Sequence, residues 1–427
     1  MKVLVIGSGG REHALVWKLS QSSKVSRLYC SPGNPGIAEL AECLPMKATA
    51  IDGLLAFAKS EQIDLTVVGP EQPLADGIVD AFESNGLTIF GPTRRAAELE
   101  WSKAFAKEFM QRHNIPTASY KIFSQEEIQA AREYLATSRL PVVVKADGLA
   151  AGKGVIVCTT LDQALSALND IKKQFGFAGN RIIVEEFLEG EEASMFAICD
   201  GANFVTLATA QDHKRVFDGD RGKNTGGMGA YAPAAIVTQD ILHDVEERII
   251  RPTLRGMALE GRPYKGCLFV GLMITAAGPN VVEYNCRFGD PETQVVLPLY
   301  PGDILELFEA ACENALGALR EPSFNHSTRN AAVCVVLASQ GYPDEYPTGI
   351  EIQGLDELSG LNNVMAFHAG TKLFNGALVT AGGRVLGITA VKNNLLDAIH
   401  DAYQAVNHVS FAGMQYRRDI GRKALLH

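Results

Sequence analysis

The sequence predicts a multidomain α/β and α+β protein. It has an N-terminal doubly wound parallel sheet, a central piece of paired strands with a glycine-rich lid, and a small C-terminal α+β piece. Three observations predict this. Over the first hundred residues short β-rich runs alternate with amphipathic runs, the pattern of a parallel sheet with crossover helices. From about residue 140 the apolar runs come in pairs joined by glycine-rich turns. The 427 residues also exceed what a single hydrophobic core holds.

In the first piece, residues 1–101, the strands are "KVLVI", "SRLYC", "DLTVV" and "LTIF". The helices are "REHALVWKLSQS", "IDGLLAFAKSEQ" and "ADGIVDAFESNG". Turn signals ("SPGNPG", "GPEQP", "GPT") follow the strands, and ligands of such sheets gather at the strands' carboxyl ends. The glycines of "GSGGREHAL" fall between the first strand and its helix, where backbone N–H groups receive phosphate. A dinucleotide fingerprint fits poorly. Its third glycine position is Glu12, and the second strand ends in "LYCSPGN" with no carboxylate for a ribose. The favoured reading is a sugar phosphate on the N–H groups of Ser8, Gly9 and Gly10. A tight turn without a ligand is the alternative.

The central piece, residues 102–327, opens with the helix "SKAFAKEFMQRHN", capped by Ser102 and stopped before "IPT". A lid subdomain spans about residues 121–190. In it "PVVVKADGLAAGKGVIVCTT" reads as two strands joined by a glycine loop. This is not a Walker A loop, since no Ser or Thr follows Lys153 and strands flank it on both sides. A glycine hairpin carrying a lysine (Gly152, Lys153, Gly154) folds over a triphosphate as a lid, although many glycine hairpins bind nothing. Lys145, in the apolar run "VVVKAD", needs a partner if buried. Phosphate is one such partner, and a head group reaching solvent is the alternative. The run "VEEFLEGEE" suits the rim of an adenosine site. The Phe187–Leu188 backbone would meet the adenine edge and Glu192 the ribose hydroxyls.

The polar segment "QDHKRVFDGDRGKNTGGMGAY", residues 211–231, is a long loop of the kind that is usually functional, and His213 in it is a candidate substrate contact. "CLFVGLMITAAGPNVVEYNCRFGDPET" reads as a hairpin turning at "AAGPN". Glu283 and Asn285, two apart on a strand, share a face and suit Mg²⁺. Arg287 follows on that face. A carboxylate, an amide and a guanidinium together make an electrostatic site for phosphoryl transfer. A structural Glu283–Arg287 ion pair is the alternative. The C-terminal piece, residues 328–427, carries the strands "AAVCVVLAS" and "RVLGITAV".

Composition excludes several classes. A net charge of -10 argues against a nucleic-acid or membrane binder. The 8 cysteines include no CxxC pair and read as buried free thiols in a reducing compartment. No signal peptide and no apolar run of ~20 residues is present, so a soluble cytoplasmic protein is expected. The histidines lack metal-ligand spacing, and no Ser-His-Asp or Cys-His set supports covalent catalysis.

The order of these elements resembles an ATP-grasp ligase. "GSGGREHAL", "GPEQPL", "KADGLAAGKGV", "QDHKR", "NTGGMGAY" and "NCRFGDPETQ" are similar to the glycinamide ribonucleotide synthetase (phosphoribosylamine–glycine ligase) family, from residue 1 to about 420. The resemblance implies an ATP-grasp fold for the central piece and a monomer. It also implies a reaction in which ATP, glycine and 5-phosphoribosylamine give glycinamide ribonucleotide, ADP and phosphate, with Mg²⁺ or Mn²⁺, in de novo purine synthesis. It implies that Lys103, Lys145, Gly152, Lys153, Gly154, Glu185, Glu186, Phe187, Leu188 and Glu192 hold ATP, and that Glu283 and Asn285 hold the metal. Ser8, Gly9, Gly10, Arg11, Glu71, His213, Lys214, Arg287, Gly289 and Asp290 would meet the other substrates. Lys103, Lys145 and the lid amides would neutralise the transferring phosphoryl group with the metal, Arg287 would stabilise the tetrahedral oxyanion or clamp the phosphate, and Asp212 or Asp290 would take the glycine ammonium. One departure stands out: many ATP-grasp enzymes carry an acidic ligand on the strand before "EYN", and "CLFVGLMIT" has none. A different ATP-grasp ligase, a nucleotide-binding regulator without turnover and a nicotinamide oxidoreductase remain as alternatives.

Overall fold

The structure, a computed structural model, describes residues 1–148, 154–174, 180–319 and 330–426. Gly152 and Lys153 of the expected lid, and the expected boundary at residues 327/328, lie outside the described residues.

The N-terminal sheet is parallel throughout. Its strands are β1 (Lys2–Gly7), β2 (Arg27–Pro32), β3 (Glu42–Cys43), β4 (Leu65–Val68) and β5 (Ile89–Phe90), in the order β3-β2-β1-β4-β5. Val3 to Ile6 and Leu65 to Val68 are buried without alternation, because helices cover both faces of such a sheet. The winding reverses between β1 and β4, so their carboxyl ends open the crevice. The Gly7–Gly10 turn and the start of a helix at Glu71 lie there. "GPEQP" thus begins the helix Glu71–Asp76 rather than forming a plain turn. Pro73 fits in its first turn, where no intrahelical N–H is needed, and Gly77 ends it with φ 89.

The second sheet holds β6 (Tyr120–Ser124), β7 (Val142–Ala146), β8 (Val155–Cys158) and β9 (Arg181–Glu186), antiparallel in the order β6-β9-β7-β8. Helices Ile128–Thr137 and Leu161–Gln174 cover one face, packing Ala131, Leu135 and Leu168 with Val144 of β7 in one core cluster. The third sheet holds β10 (Glu191–Asp200), β11 (Phe204–Thr206), β16 (Lys265–Thr275) and β17 (Gly278–Asn285), in the order β11-β10-β16-β17. The β16–β17 hairpin turns at Ala276–Ala277, the start of "AAGPN".

The C-terminal sheet crosses the expected boundary. It contains β12 (Gln211–Asp212) and β15 (Gly229–Ala232) beside β18 (Ala331–Ala338), β19 (Val364–His368) and β22 (Arg384–Lys392), in the order β12-β15-β18-β22-β19. Helix Leu395–Val406 packs on it. Two hairpins stand apart: β13 (Arg215–Phe217) with β14 (Arg221–Asn224), and β20 (Thr371–Phe374) with β21 (Ala377–Thr380). The segment 211–232, expected to belong with the central piece, is therefore built into the C-terminal sheet. Periodicity did not show this, because the strand that pairs with β15 lies far along the chain.

All eight cysteines are free, and six are buried. Among the described residues no helix is long and apolar enough to cross a membrane. The units are joined by aromatic packing. Phe308, on helix Ile304–Cys312, stacks on Phe90 at 4.2 Å and meets Phe288 at 5.9 Å between ring centroids. Phe308 is fully buried, so Phe308→Ala should cost about 3–5 kcal/mol. Urea unfolding checks this, and an unchanged midpoint would show that the units do not lean on this ring.

Candidate functional site

The site is assembled where β7 and β9 of the second sheet face β17 of the third. Helix Lys103–Arg112 starts there. Ser102 caps it by accepting from the Phe105 N–H at 3.1 Å, and the Asp147 carboxylate accepts from the Ala104 N–H at 3.1 Å. Asp147 follows β7, so this cap ties the end of β7 to the helix. Lys103 donates to the Gly148 carbonyl at 2.9 Å, and desolvation lowers its pKa against the pull of Glu283. Lys107, one turn on, shares its face. The buried ammonium groups of Lys107 and Lys145 both pair with Glu185 Oε2, at 3.1 and 2.9 Å. Lys145 also donates to the Val282 carbonyl at 3.3 Å. That carbonyl lies at a register shift in the β16–β17 ladder, where Gly271 faces Glu283 and Leu272 faces Val281. Two ammonium groups on one carboxylate leave one positive charge over. Burial pushes Lys107 down to about 8. The partner that Lys145 finds within the chain is thus a carboxylate. Glu185 Oε1 is buried with no hydrogen-bond partner.

Tyr284 of β17 points into the core, which leaves its strand neighbours Glu283 and Asn285 on the other face, and the register shift at Val282 turns Val281 inward as well. Desolvation would raise the Glu283 pKa, but Lys214, Lys145, Lys103 and Arg287 hold it below the usual carboxylate range. Among the described residues no three His, Cys, Asp or Glu side chains group as metal ligands. A hard cation that keeps water and phosphate ligands needs only one or two protein oxygens, and a carboxylate held ionised beside an amide fits that need. Arg287 does not pair with Glu283. Its Nη2 meets Glu100 at 3.0 Å and its Nε donates to Glu71 at 3.3 Å, so the simple Glu283–Arg287 ion pair is replaced by a larger cluster. Glu100 also accepts from the Cys286 N–H at 2.6 Å, and burial pushes its pKa up against Arg287. Burial would raise Glu71 as well, but Arg287 and Arg11 bring it down to about 2.

The glycine turn holds a carboxylate of its own helix. Gly7 has φ 130, and the N–H groups of Ser8 and Gly9 donate to Glu12 Oε2 at 3.2 and 2.6 Å. Glu12 is the N3 residue of the helix, folded back as in a capping box. Asp290 also draws on this helix end through the Arg11 N–H. Two carboxylates thus occupy the positive end of the helix dipole, where a phosphate was expected. A Cβ at Gly10 would lie 2.6 Å from Gln294 Nε2, so a side chain there would displace Gln294 of helix Thr293–Leu299. Arg11 donates to the Phe288 carbonyl at 3.0 Å and to Glu12 at 2.5 Å.

The loop at 212–214 enters from the C-terminal sheet. Lys214 bonds Glu192 at 2.5 Å, and Glu192, Asp212 and Glu283 hold it charged against desolvation. Desolvation and the Glu292 carboxylate push Asp212 well above the usual range, and its enclosed Oδ1 has no hydrogen-bond partner. Burial raises buried Glu292 too, although Ser194 donates to it at 3.2 Å. Asp290 is different. Burial would raise it, but Arg384 and Arg11 hold it down, and Gln294 donates to it at 2.8 Å. Burial keeps His213 neutral, with a pKa of about 4, and neither ring nitrogen has a partner. Phe187 and Leu188 link β9 to β10 at the junction of two sheets, and Phe187 is exposed. The Glu186 carboxylate accepts from the Ser119 N–H at 2.9 Å, next to the end of the β6–β9 ladder. Gly154 accepts from the Ala146 N–H at 2.8 Å, closing the base of the lid hairpin. Gly289 leads into Asp290 and helix Thr293–Leu299, with its carbonyl taking the Thr293 hydroxyl at 2.5 Å.

Residues 1–100, 101–293 and 332–423 match in turn the N domain, the ATP-grasp (A) domain and the C domain of phosphoribosylglycinamide synthetase. The chain belongs to the phosphoribosylglycinamide synthetase family. It is an ATP-grasp ligase of the glycinamide ribonucleotide step of purine biosynthesis, and such ligases use ATP with a divalent metal. It is 50% identical over 431 residues to the phosphoribosylamine–glycine ligase of Chlorobaculum tepidum, covering 100% of both chains. To that of Vibrio cholerae it is 51% identical over 430 residues, covering 100% of this chain and 99% of the other. The crystal structure of phosphoribosylamine–glycine ligase from Thermotoga maritima superposes with a TM-score of 0.85 at 33% identity, covering 99% of this chain and 100% of that one.

Sequence reasoning on this family member missed Glu12, Glu100, Lys107, Glu292 and Arg384. Two of them carried a signal. Lys107 lies four residues after Lys103 on one helical face, and Glu12 stands at N3 of a helix opened by glycines. Glu100 and Arg384 had none, since only folding brings them to Arg287 and Asp290. The Glu71 geometry gives a pH signature. Its folded pKa lies near 2, below the ordinary 4.5, so its contribution is fully present above about 4.5 and is lost as pH falls toward 2. The stability gap between the parent and Glu71→Gln should therefore be constant above pH 5 and narrow below it. Urea unfolding across that range checks this, and a gap at pH 3 as wide as at pH 7 would mean that Arg287 and Arg11 do not hold the carboxylate.

Proposed function

We propose that the enzyme ligates glycine to 5-phosphoribosylamine through a glycyl phosphate, using ATP and Mg²⁺ or Mn²⁺. The observation that carries this reading is one face on which Lys103, Lys145, Lys214 and Arg287 surround ionised Glu283, beside an undercompensated carboxyl pair, Asp212 and Glu292. The cations suit phosphoryl transfer, which is driven by positioning and charge neutralisation. The carboxyl pair suits an ammonium, because an incoming cation restores the charged state that burial disfavours. Asp212 is preferred to Asp290 for this role, since Arg384, Arg11 and Gln294 already compensate Asp290.

Glycine would lie with its ammonium on Asp212 and Glu292 and its carboxylate toward the lysines. A carboxylate oxygen attacks the terminal phosphorus of ATP. The bond to the bridging oxygen breaks, and ADP leaves. The amine of phosphoribosylamine then attacks the acyl carbon, phosphate departs with the former carboxylate oxygen, and the nitrogen loses a proton. Lys103 and Lys145 hold the charge of the transferred group throughout. Glu283 and Asn285 would hold the metal ion, which neutralises phosphate charge. For adenosine, the open Oε1 of Glu185, the Phe187–Leu188 backbone and Glu192 are the candidates. The crevice segment Ser8–Arg11, with Glu71, Gly289 and Asp290, is assigned to phosphoribosylamine. Its carboxylates suit the hydroxyl and amine hydrogens of that substrate better than its phosphate.

Glycine labelled with heavy oxygen in its carboxylate should deliver one label to inorganic phosphate per turnover, read by mass spectrometry. Label entering phosphate only from water would mean plain ATP hydrolysis and would overturn the reading. Glu283→Gln should raise the magnesium concentration needed for half-maximal rate several-fold in a folded enzyme. A titration superimposable on the parent's would remove Glu283 from the metal site.

A further inference from the structure

The hairpin β13–β14 interrupts the loop that carries Asp212, His213 and Lys214. A two-stranded ribbon alone is marginally stable in water. Its anchors among the described residues lie on the C-terminal part of the chain. Arg417, whose guanidinium is 0% exposed, donates from Nη1 to Asp220 Oδ1 at 2.8 Å and to the Arg215 carbonyl at 3.1 Å. From Nε and Nη2 it grips both oxygens of Asp419, each at 2.7 Å. Asp419 in turn accepts from the Gly219 N–H at 2.8 Å, and the Arg418 N–H donates to Asp218 at 2.7 Å. Lys423 pairs with Asp220. Five charged side chains and two backbone N–H groups thus fix strand β13 and the turn of the ribbon.

The placement matters because of what lies at the ribbon's base. Asp212 is the end of β12, three residues before β13, and Lys214 immediately precedes Arg215. The Arg215 carbonyl held by Arg417 is therefore one residue from the ammonium that bonds Glu192, and three from the carboxylate beside Glu292. At the far end of the segment Arg384 donates to the Gly226 carbonyl and the Asp290 carbonyl, both at 2.7 Å. A guanidinium without exposure is costly to bury unless all its donors are engaged, and a network of this kind holds one geometry rather than several.

We propose that Arg417 is a positioning residue for the reaction: the segment Arg417–Lys423 acts as a clasp that sets the place of Asp212 and Lys214 in the site. The proposal rests on the assignment of glycine to Asp212. Loss of the clasp shifts the carboxylate relative to Glu292, so affinity for glycine falls, while the lysines of the second sheet keep their grip on ATP.

The test measures KM for glycine and for ATP in Arg417→Gln, Arg417→Lys, Asp220→Asn and Asp212→Asn, with unfolding midpoints for each. Arg417→Gln should raise the KM for glycine at least tenfold and change that for ATP less than twofold. Arg417→Lys, a point charge that cannot fork onto Asp419, should recover only part of the loss. A folded Arg417→Gln enzyme with parental KM for glycine overturns the clasp, provided Asp212→Asn raises that KM. If neither variant raises it, both the clasp and the glycine assignment fall. A rise with Arg417→Gln alone overturns the Asp212 assignment and upholds the clasp acting through Lys214. Should Arg417→Gln fail to fold, Asp220→Asn, which removes a single arm, is judged by the same criteria.

Discussion

Lys107 and Lys145 share one buried carboxylate, Glu185, and this uneven sharing organises the site. A cleft meant for a triphosphate needs several cations close together and partly out of water. Unpaired, they would repel one another and shed protons. Fully paired, they would offer no net charge. Two ammonium groups on one carboxylate keep one charge in hand, and Lys103 on a backbone carbonyl adds a second without adding an anion. Lys107 at about 8 shows how near this arrangement runs to losing a proton.

The same logic, inverted, governs the neighbouring groups. Arg287 is held by Glu71 and Glu100, while Glu283 has four cations around it and no direct ion pair among the described residues. Asp212 and Glu292 carry too little positive charge. Excess positive charge and excess negative charge therefore lie side by side. A zwitterionic amino acid with its carboxylate toward a phosphate donor needs that asymmetry. Three sheets supply it. The second brings the lysines, the third brings Glu283 and Arg287, and the C-terminal sheet delivers Asp212 and Lys214 on a loop that it pins from outside.

The legible parts were those set by local rules. Parallel strands covered on both faces wrote continuous apolar runs, and Ser102 wrote a cap. The period of two puts Glu283 and Asn285 on one face, opposite the inward-pointing Tyr284, whereas the inward Val281 follows from the register shift at Val282, which the sequence did not show. "GPEQP" was harder, because proline in a first helical turn looks like a loop. The "GSGG" loop was legible only in part. Its glycines marked a helix start, but Glu12 three residues on, the group that fills the amides, was weighed only as a missing glycine.

The sequence by itself determined the family, the order of elements and which residues carry charge into apolar surroundings, since composition, periodicity and motif spacing are local properties. The tertiary structure alone decided who neutralises whom. Glu185 pairs with Lys145, Glu100 rather than Glu283 meets Arg287, and the loop of Asp212 joins the last sheet rather than the central one. Each of those outcomes depends on groups far apart along the chain. Charge compensation falls off with distance in space, and spacing in sequence does not record that distance.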